Sequence, residues 1–116
     1  YNTRGSMTDL EQVEIQIDMA QKLRKLRDNC VKLTASEPWK DIIGEGYFKE
    51  EAARLVMAKS SHLTPEQMQL IDNMQYGIGA LANYIESVMR RGAEMDQAIG
   101  EHEETREEIL AEEISV

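Results

Sequence analysis

Apolar side chains recur at alternating steps of three and four through the second half of the chain. We call the following residues the seam: Ile71, Met74, Ile78, Leu81, Ile85, Val88, Met95 and Ile99. Gly92 occupies the position between Val88 and Met95, so the phase is kept across a residue that weakens helices. Such spacing places a narrow stripe along one side of a helix, which a second helix buries. The seam therefore predicts a helix–helix interface, within or between chains.

The helix that carries the seam has a clear start signal. Thr64 is a good N-cap, Pro65 suits the first helical position, and Gln67 can close a capping box. Basic residues before Gly92 and acidic residues after it are typical of a helix break, yet the seam keeps its phase there. We expect a continuous or gently kinked helix. If it reaches Glu112 it is about 70 Å long, and its distal part needs a second copy or another protein to cover it.

A second long helix is predicted near the N-terminus. Thr8 and Glu11 have the spacing of a capping box, and a helix from there extends to about Thr34. It carries two offset apolar stripes. The first consists of Leu10, Val13, Ile17 and Ala20, and the second of Met19, Leu23, Leu26, Cys30 and Leu33. The offset predicts that the buried face rotates near residue 20, as where a helix changes its packing partner.

Two shorter helices are predicted between the long ones. Ser36 is a good N-cap and Pro38 is tolerated in a first turn, so a helix is expected to begin there. Gly44 and Gly46 are expected to end it, because glycine readily adopts the left-handed conformation found at helix ends. Residues 47–59 then form a separate helix with a core-facing stripe.

The predicted fold class is all-α, with four helices, or five if Gly92 breaks the last. A long C-terminal heptad-bearing helix packs against a long N-terminal helix, and the shorter helices close one end. Residues 1–6 look like an expression scar, because a natural start follows at Met7. Residues 7–92 are expected to form a helical body, and residues 93–116 an acidic C-terminal helix or tail.

The charge is unevenly placed along the chain. The formal net charge is −9, and residues 93–116 hold nine acids against Arg106 alone. This stretch is interpreted either as a solvated surface or as a docking tail for a basic partner. Without a broad basic face, direct nucleic-acid binding is not expected. No apolar run approaches the roughly 20 residues of a membrane span, so no membrane partner is expected.

Few residues suggest chemistry. His62 and His102 lack neighbouring ligands at a recognisable metal spacing. Cys30, the single cysteine, is expected to be a buried small hydrophobe and fits a reducing compartment. Residues 103–107 have the acidic spacing by which helical nucleotide pyrophosphatases bind magnesium, but no second acidic pair follows. We expect no enzyme activity, no cofactor and no metal site; a magnesium-dependent hydrolase is the least favoured alternative.

Three segments carry a resemblance to a known group of proteins. They are residues 46–56 (GYFKEEAARLV), 78–81 (IGAL) and 104–110 (ETREEIL). With them, most of residues 8–113 resembles small, mostly uncharacterised helical proteins of tailed bacteriophages. The resemblance implies a phage gene product with a role in virion assembly, located in the host cytoplasm or the virion. It implies no active-site residues.

Two functions are therefore expected from the sequence. The first is a non-enzymatic structural or assembly protein of a phage that self-associates into a homo-oligomer and contacts other phage or host proteins through helices. The alternative is a phage-encoded acidic inhibitor that binds a host protein through its C-terminal stretch.

Overall fold

The computed structural model describes residues 8–115, and these are helical almost throughout, with no strand among them. The predicted expression scar at residues 1–6 lies outside the described residues. Helix α1 spans Asp9–Ala35, and helix α3 spans Pro65–Ser115. Between them, helix α2 covers residues 37–58 in three consecutive segments: an α-turn at Glu37–Trp39, a π-helix at Lys40–Glu51 and an α-helix at Ala52–Ala58. The all-α prediction is confirmed, but residues 8–115 form three helices rather than four or five.

The predicted helix break at Gly44 and Gly46 is wrong. Neither glycine adopts a left-handed backbone, and the helix continues through both as a π-helix. A β carbon on Gly46 would lie 3.3 Å from the carbonyl oxygen of Asp41, five residues earlier. The five-residue step is the hydrogen-bonding step of a π-helix, so glycine relieves crowding in the wider turn instead of ending the helix.

The predicted start of α1 is present. The Thr8 hydroxyl accepts a hydrogen bond from the Glu11 amide at 3.1 Å and donates one to the Glu11 carboxylate at 3.1 Å. The first predicted stripe is buried at Val13, Ile17 and Ala20. The second predicted stripe is only partly buried, because Cys30 is buried whereas Met19, Leu26 and Leu33 are exposed.

The predicted start of α3 is also present. The Gln67 amide donates to the Thr64 hydroxyl at 3.1 Å, and the Gln67 side chain accepts from the Thr64 amide at 2.9 Å. The helix then continues for 51 residues without a break at Gly92, as the phase of the seam predicts. At about 1.5 Å per residue it is about 75 Å long.

The chain divides into two compact units, and α1 and α3 contribute to both. Residues 29–87 form the hairpin unit, in which α2 runs antiparallel to the first part of α3. The Lys59 ammonium pairs with the Asp72 carboxylate at 2.7 Å near the turn of this hairpin. Leu55 is only 1% exposed, and Trp39 packs edge-on against Phe48 with ring centres 6.4 Å apart. Apolar packing thus holds the hairpin unit at both ends of α2.

The described residues 8–28 and 88–115 form the paired-helix unit. Leu10 and Ile109 line one pocket, and Arg27 pairs with Asp96, so the two helices run antiparallel. The core of this unit is apolar and small, and it consists of Val13, Ile17, Ala20, Val88 and Ile99. The expectation that the distal part of α3 needs a second chain to cover it is wrong, because α1 covers it.

Candidate interaction surfaces

Most of the seam lies inside the chain's own packing. In the hairpin unit, Ile78 is buried and Ile71, Leu81 and Ile85 are half-buried. In the paired-helix unit, Val88 and Ile99 are buried and Met95 is half-buried. Met74 is the exception in the seam, with 41% of its surface exposed. Met74 is therefore the most accessible position of the seam, whereas the buried Ile78, Val88 and Ile99 are covered by the chain's own helices.

Gly92 lies where α1 and α3 approach closely within the paired-helix unit. Its position is buried, and a β carbon there would overlap the β and γ carbons of Arg27. Because those atoms are fixed close to the α1 backbone, the two helices can approach this closely only with glycine at position 92. This explains why the seam keeps its phase across a residue with low helix propensity.

The Arg27 side chain passes over Gly92 to reach Asp96. Its guanidinium donates two hydrogen bonds to the Asp96 carboxylate, at 3.0 and 3.1 Å, and a third to Asp28 at 2.7 Å. Arg24 pairs with the same Asp96 carboxylate at 2.9 Å. The hydrogen bonds from Arg27, with the charges of both arginines, hold the pKa of Asp96 below its ordinary value. Paired charges thus fix the register of the two helices.

Two apolar pockets open along the hairpin unit. The larger, of about 500 Å³, is lined mainly by Ile42, Ile43, Tyr47 and Leu81 and lies on the π-helix. The smaller, of about 260 Å³, lies nearer the turn and includes Met74 of the seam. Glu51 lines the first pocket and Arg54 the second, and their side chains form two hydrogen bonds at 2.6 and 2.7 Å. This pairing lowers the pKa of Glu51.

Tyr47 explains why glycine occurs at position 77 of α3. A β carbon on Gly77 would lie 3.5 Å from the Tyr47 hydroxyl, so the two positions face each other. Gly79 has open space where its β carbon would be. Close packing therefore occurs at Gly77 and not at Gly79.

An exposed apolar stripe on α1 was not predicted from the sequence as a surface. Ile15, Met19 and Leu26 are exposed by 45%, 60% and 43%, and helical spacing places them opposite the buried Val13 and Ile17. We call these three residues the outer stripe. Their steps of four and seven are themselves a heptad signal, although Met19 and Leu26 belong to the second predicted stripe, which was expected to be buried.

The end of α3 carries an acidic surface within the paired-helix unit. Its inward positions are the half-buried His102, Arg106 and Ile109, which continue the steps of the seam. Carboxylates at Glu104, Glu107, Glu108 and Glu113 are exposed. These four carboxylates therefore face solvent, while the three inward positions are partly covered.

The residues considered for chemistry do not converge. His62 is exposed in the turn before α3, His102 is half-buried at the far end of that helix, and Cys30 is buried on α1. Within residues 8–115 no group of three or more His, Cys, Asp or Glu side chains is placed to hold a metal ion. None of the described helices is both long and apolar enough to cross a membrane.

Comparisons with known proteins add no relative to this picture. No protein family, no curated protein sequence and no solved structure matches the chain. The resemblance of its three segments to helical phage proteins stays a prediction.

Proposed function

We propose that this protein is a non-enzymatic structural or assembly protein of a phage that acts by helix-mediated self-association and by contacts with other phage or host proteins. The observation that carries the proposal is the outer stripe of α1. A helical face with three large exposed apolar side chains at heptad spacing is the kind of surface that helix pairing removes from water. The phage assignment is supported by the resemblance of residues 46–56, 78–81 and 104–110.

The long α3 helix supports a structural role. This helix has 51 residues, and other parts of the same chain pack against its inner face. Its outer face is left as an extended surface. That outer surface includes Tyr76 and Tyr84, which are large, amphipathic and exposed. Aromatic side chains of this kind are enriched at contacts between proteins.

The solution mass tests the proposal. Size-exclusion chromatography with light scattering should give a mass that rises above that of one chain as the protein concentration increases into the high micromolar range. Helix content measured by circular dichroism serves as the check that the sample is folded. A folded sample with the mass of one chain throughout that range would overturn the proposal.

The alternative function is an acidic inhibitor that binds a basic surface of a host protein. It is supported by the exposed carboxylates on the outer side of α3, which are close enough in sequence to form one patch. Deleting this stretch would also uncover α1, so charge substitution is the cleaner test. Neutralising Glu104, Glu107 and Glu108 to glutamine should abolish salt-sensitive capture of a host protein, whereas Glu50→Gln and Glu66→Gln should not. Unchanged capture by the neutralised variant would exclude this function.

A further inference from the structure

The outer stripe has charged residues along one edge in a self-complementary order. Glu11, Asp18, Lys25 and Lys32 follow one another on α1 at steps of seven, and all are exposed. In heptad terms they lie along one side of the central positions 15, 19, 22 and 26, of which 22 is a lysine and the other three form the outer stripe. The edge is therefore acidic toward the start of the helix and basic toward its end.

This order fits an antiparallel copy of the same helix. With a two-fold axis passing near residue 21, Ile15 of one copy lies opposite Leu26 of the other, which is the other end of the outer stripe. The same axis brings Asp18 of each copy opposite Lys25 of the other. A two-fold interface uses the same patch on both copies, so each such contact occurs twice.

A parallel arrangement does not use these charges. In a parallel pair the edge with Asp18 and Lys25 faces the opposite edge, which carries Gln16, Leu23 and Cys30. No opposite charges meet there. The charge order therefore favours the antiparallel arrangement over the parallel one.

We propose that the outer stripe of α1 binds a second copy of this chain, with the two α1 helices antiparallel and Asp18 of each copy paired with Lys25 of the other. The inference rests on the proposed self-association and names the surface that performs it. Ile15, Met19 and Leu26 supply the apolar centre of the interface, and the paired edge charges select the direction.

Lys22 is the polar residue within the stripe. Its ammonium pairs with the Asp18 carboxylate of the same helix at 3.4 Å, and its aliphatic stem lies beside Met19 at helical spacing. A single lysine at such a position lowers the stability of a helix pair but restricts its register. It therefore fits a specific and moderate association rather than a tight one.

Dissociation constants measured by sedimentation equilibrium test the apolar part of the proposal. Met19→Lys should raise the dissociation constant about a hundredfold, because the substitution places two unpaired charges in the two-fold centre. Met57→Lys, at a site on α2 that is 69% exposed, is the matched control and should leave the dissociation constant unchanged. Unchanged helix content in both variants establishes that they fold.

A charge exchange tests the direction of pairing. Asp18→Lys and Lys25→Asp should each weaken association about tenfold, because each brings like charges together at both contacts. Mixing the two variants in equal amounts should restore wild-type association, since every contact then joins a lysine to an aspartate.

The outcomes separate the surface from the function. Wild-type association that survives Met19→Lys, or a mixture that stays as weak as either charge variant, would overturn the antiparallel α1 interface and leave the proposed self-association standing. A wild-type protein that remains a single chain at high micromolar concentration would overturn the proposed function itself. Loss with Met19→Lys, together with restoration in the mixture, supports the proposal.

Discussion

Replacing Gly92 by alanine should destabilise the fold although alanine is the better helix former. Gly92 is buried against α1, and the new β carbon would overlap the β and γ carbons of Arg27. The β carbon of Arg27 is fixed to its backbone, so no rotation of the side chain removes the overlap. The two helices must separate, and the Arg27 guanidinium must shift from Asp96.

The expected magnitude follows from two opposed effects. Gly to Ala in a helix contributes about 1 kcal/mol of stability, and inserting a methyl group into a closely packed contact costs about 1–3 kcal/mol. The overlap involves atoms next to the backbone, so the upper part of that range applies. The free energy of unfolding should therefore fall by about 1–2 kcal/mol.

Gly100 offers the matched control on the same helix and in the same unit. A β carbon there would meet no atom within 4 Å, so Gly100→Ala should raise the free energy of unfolding by about 1 kcal/mol. Thermal unfolding at one protein concentration should separate the two variants, since each kcal/mol shifts the melting temperature by about 4–8 °C in a chain near this size. A Gly92→Ala protein that is as stabilised as Gly100→Ala would refute the close approach of the helices.

Three further substitutions test the paired-helix unit and the α3 cap. Ile99→Ala should lower the free energy of unfolding by about 2–5 kcal/mol, because Ile99 is 5% exposed and its loss leaves a cavity, which urea unfolding measures. Asp96→Asn should flatten the acid side of the stability profile. The Arg27 hydrogen bonds hold the folded pKa of Asp96 below its ordinary value. Their contribution to stability is therefore present above about pH 4 and is lost as the pH falls through the folded pKa. The midpoint of urea unfolding, measured between about pH 2 and 6, would follow this loss. Thr64→Ala should cost about 1 kcal/mol by removing the hydroxyl that accepts from the Gln67 amide, which thermal unfolding detects.

Each of these has a control and a contradicting result. Leu110→Ala, at a partly exposed site on the same helix, should cost far less than Ile99→Ala, and equal losses would contradict the apolar core. Asp41→Asn, at an exposed site, should still lose stability at low pH as the wild type does. If Asp96→Asn loses stability at low pH to the same extent, Asp96 is not the source of that loss. Thr105→Ala removes an exposed threonine inside α3, where it caps no helix end. It should change the free energy of unfolding very little, and a loss equal to that of Thr64→Ala would contradict the capping role of Thr64.

Local signals in the sequence predicted the helix starts and the long helices well. The capping residues at Thr8 and Thr64 act within one turn, so they depend little on the rest of the fold. The continuous phase of the seam correctly outweighed the break signal at Gly92, because burial of a long apolar face exceeds the propensity cost of one glycine.

Features that depend on tertiary contacts were harder to predict from the sequence. Gly44 and Gly46 resemble a helix end, and their tolerance within a π-helix follows from backbone crowding that no sequence pattern displays. Met19 and Leu26 have the spacing of buried residues, and only the position of α3 decides that Val13 and Ile17 are covered instead. Likewise, the pairing of Arg27 with Asp96 joins residues far apart in sequence, and their separation gives no signal.

Methionine oxidation most directly tests the claim that the chain associates with itself through the outer face of α1. Met19 and Met57 are both highly exposed in the single chain, at 60% and 69%, so both should react readily with dilute peroxide at low protein concentration. At high micromolar concentration Met19 should be oxidised more slowly, because the second copy covers it, while Met57 should keep its rate. Equal and unchanged rates for the two methionines across that range would contradict it.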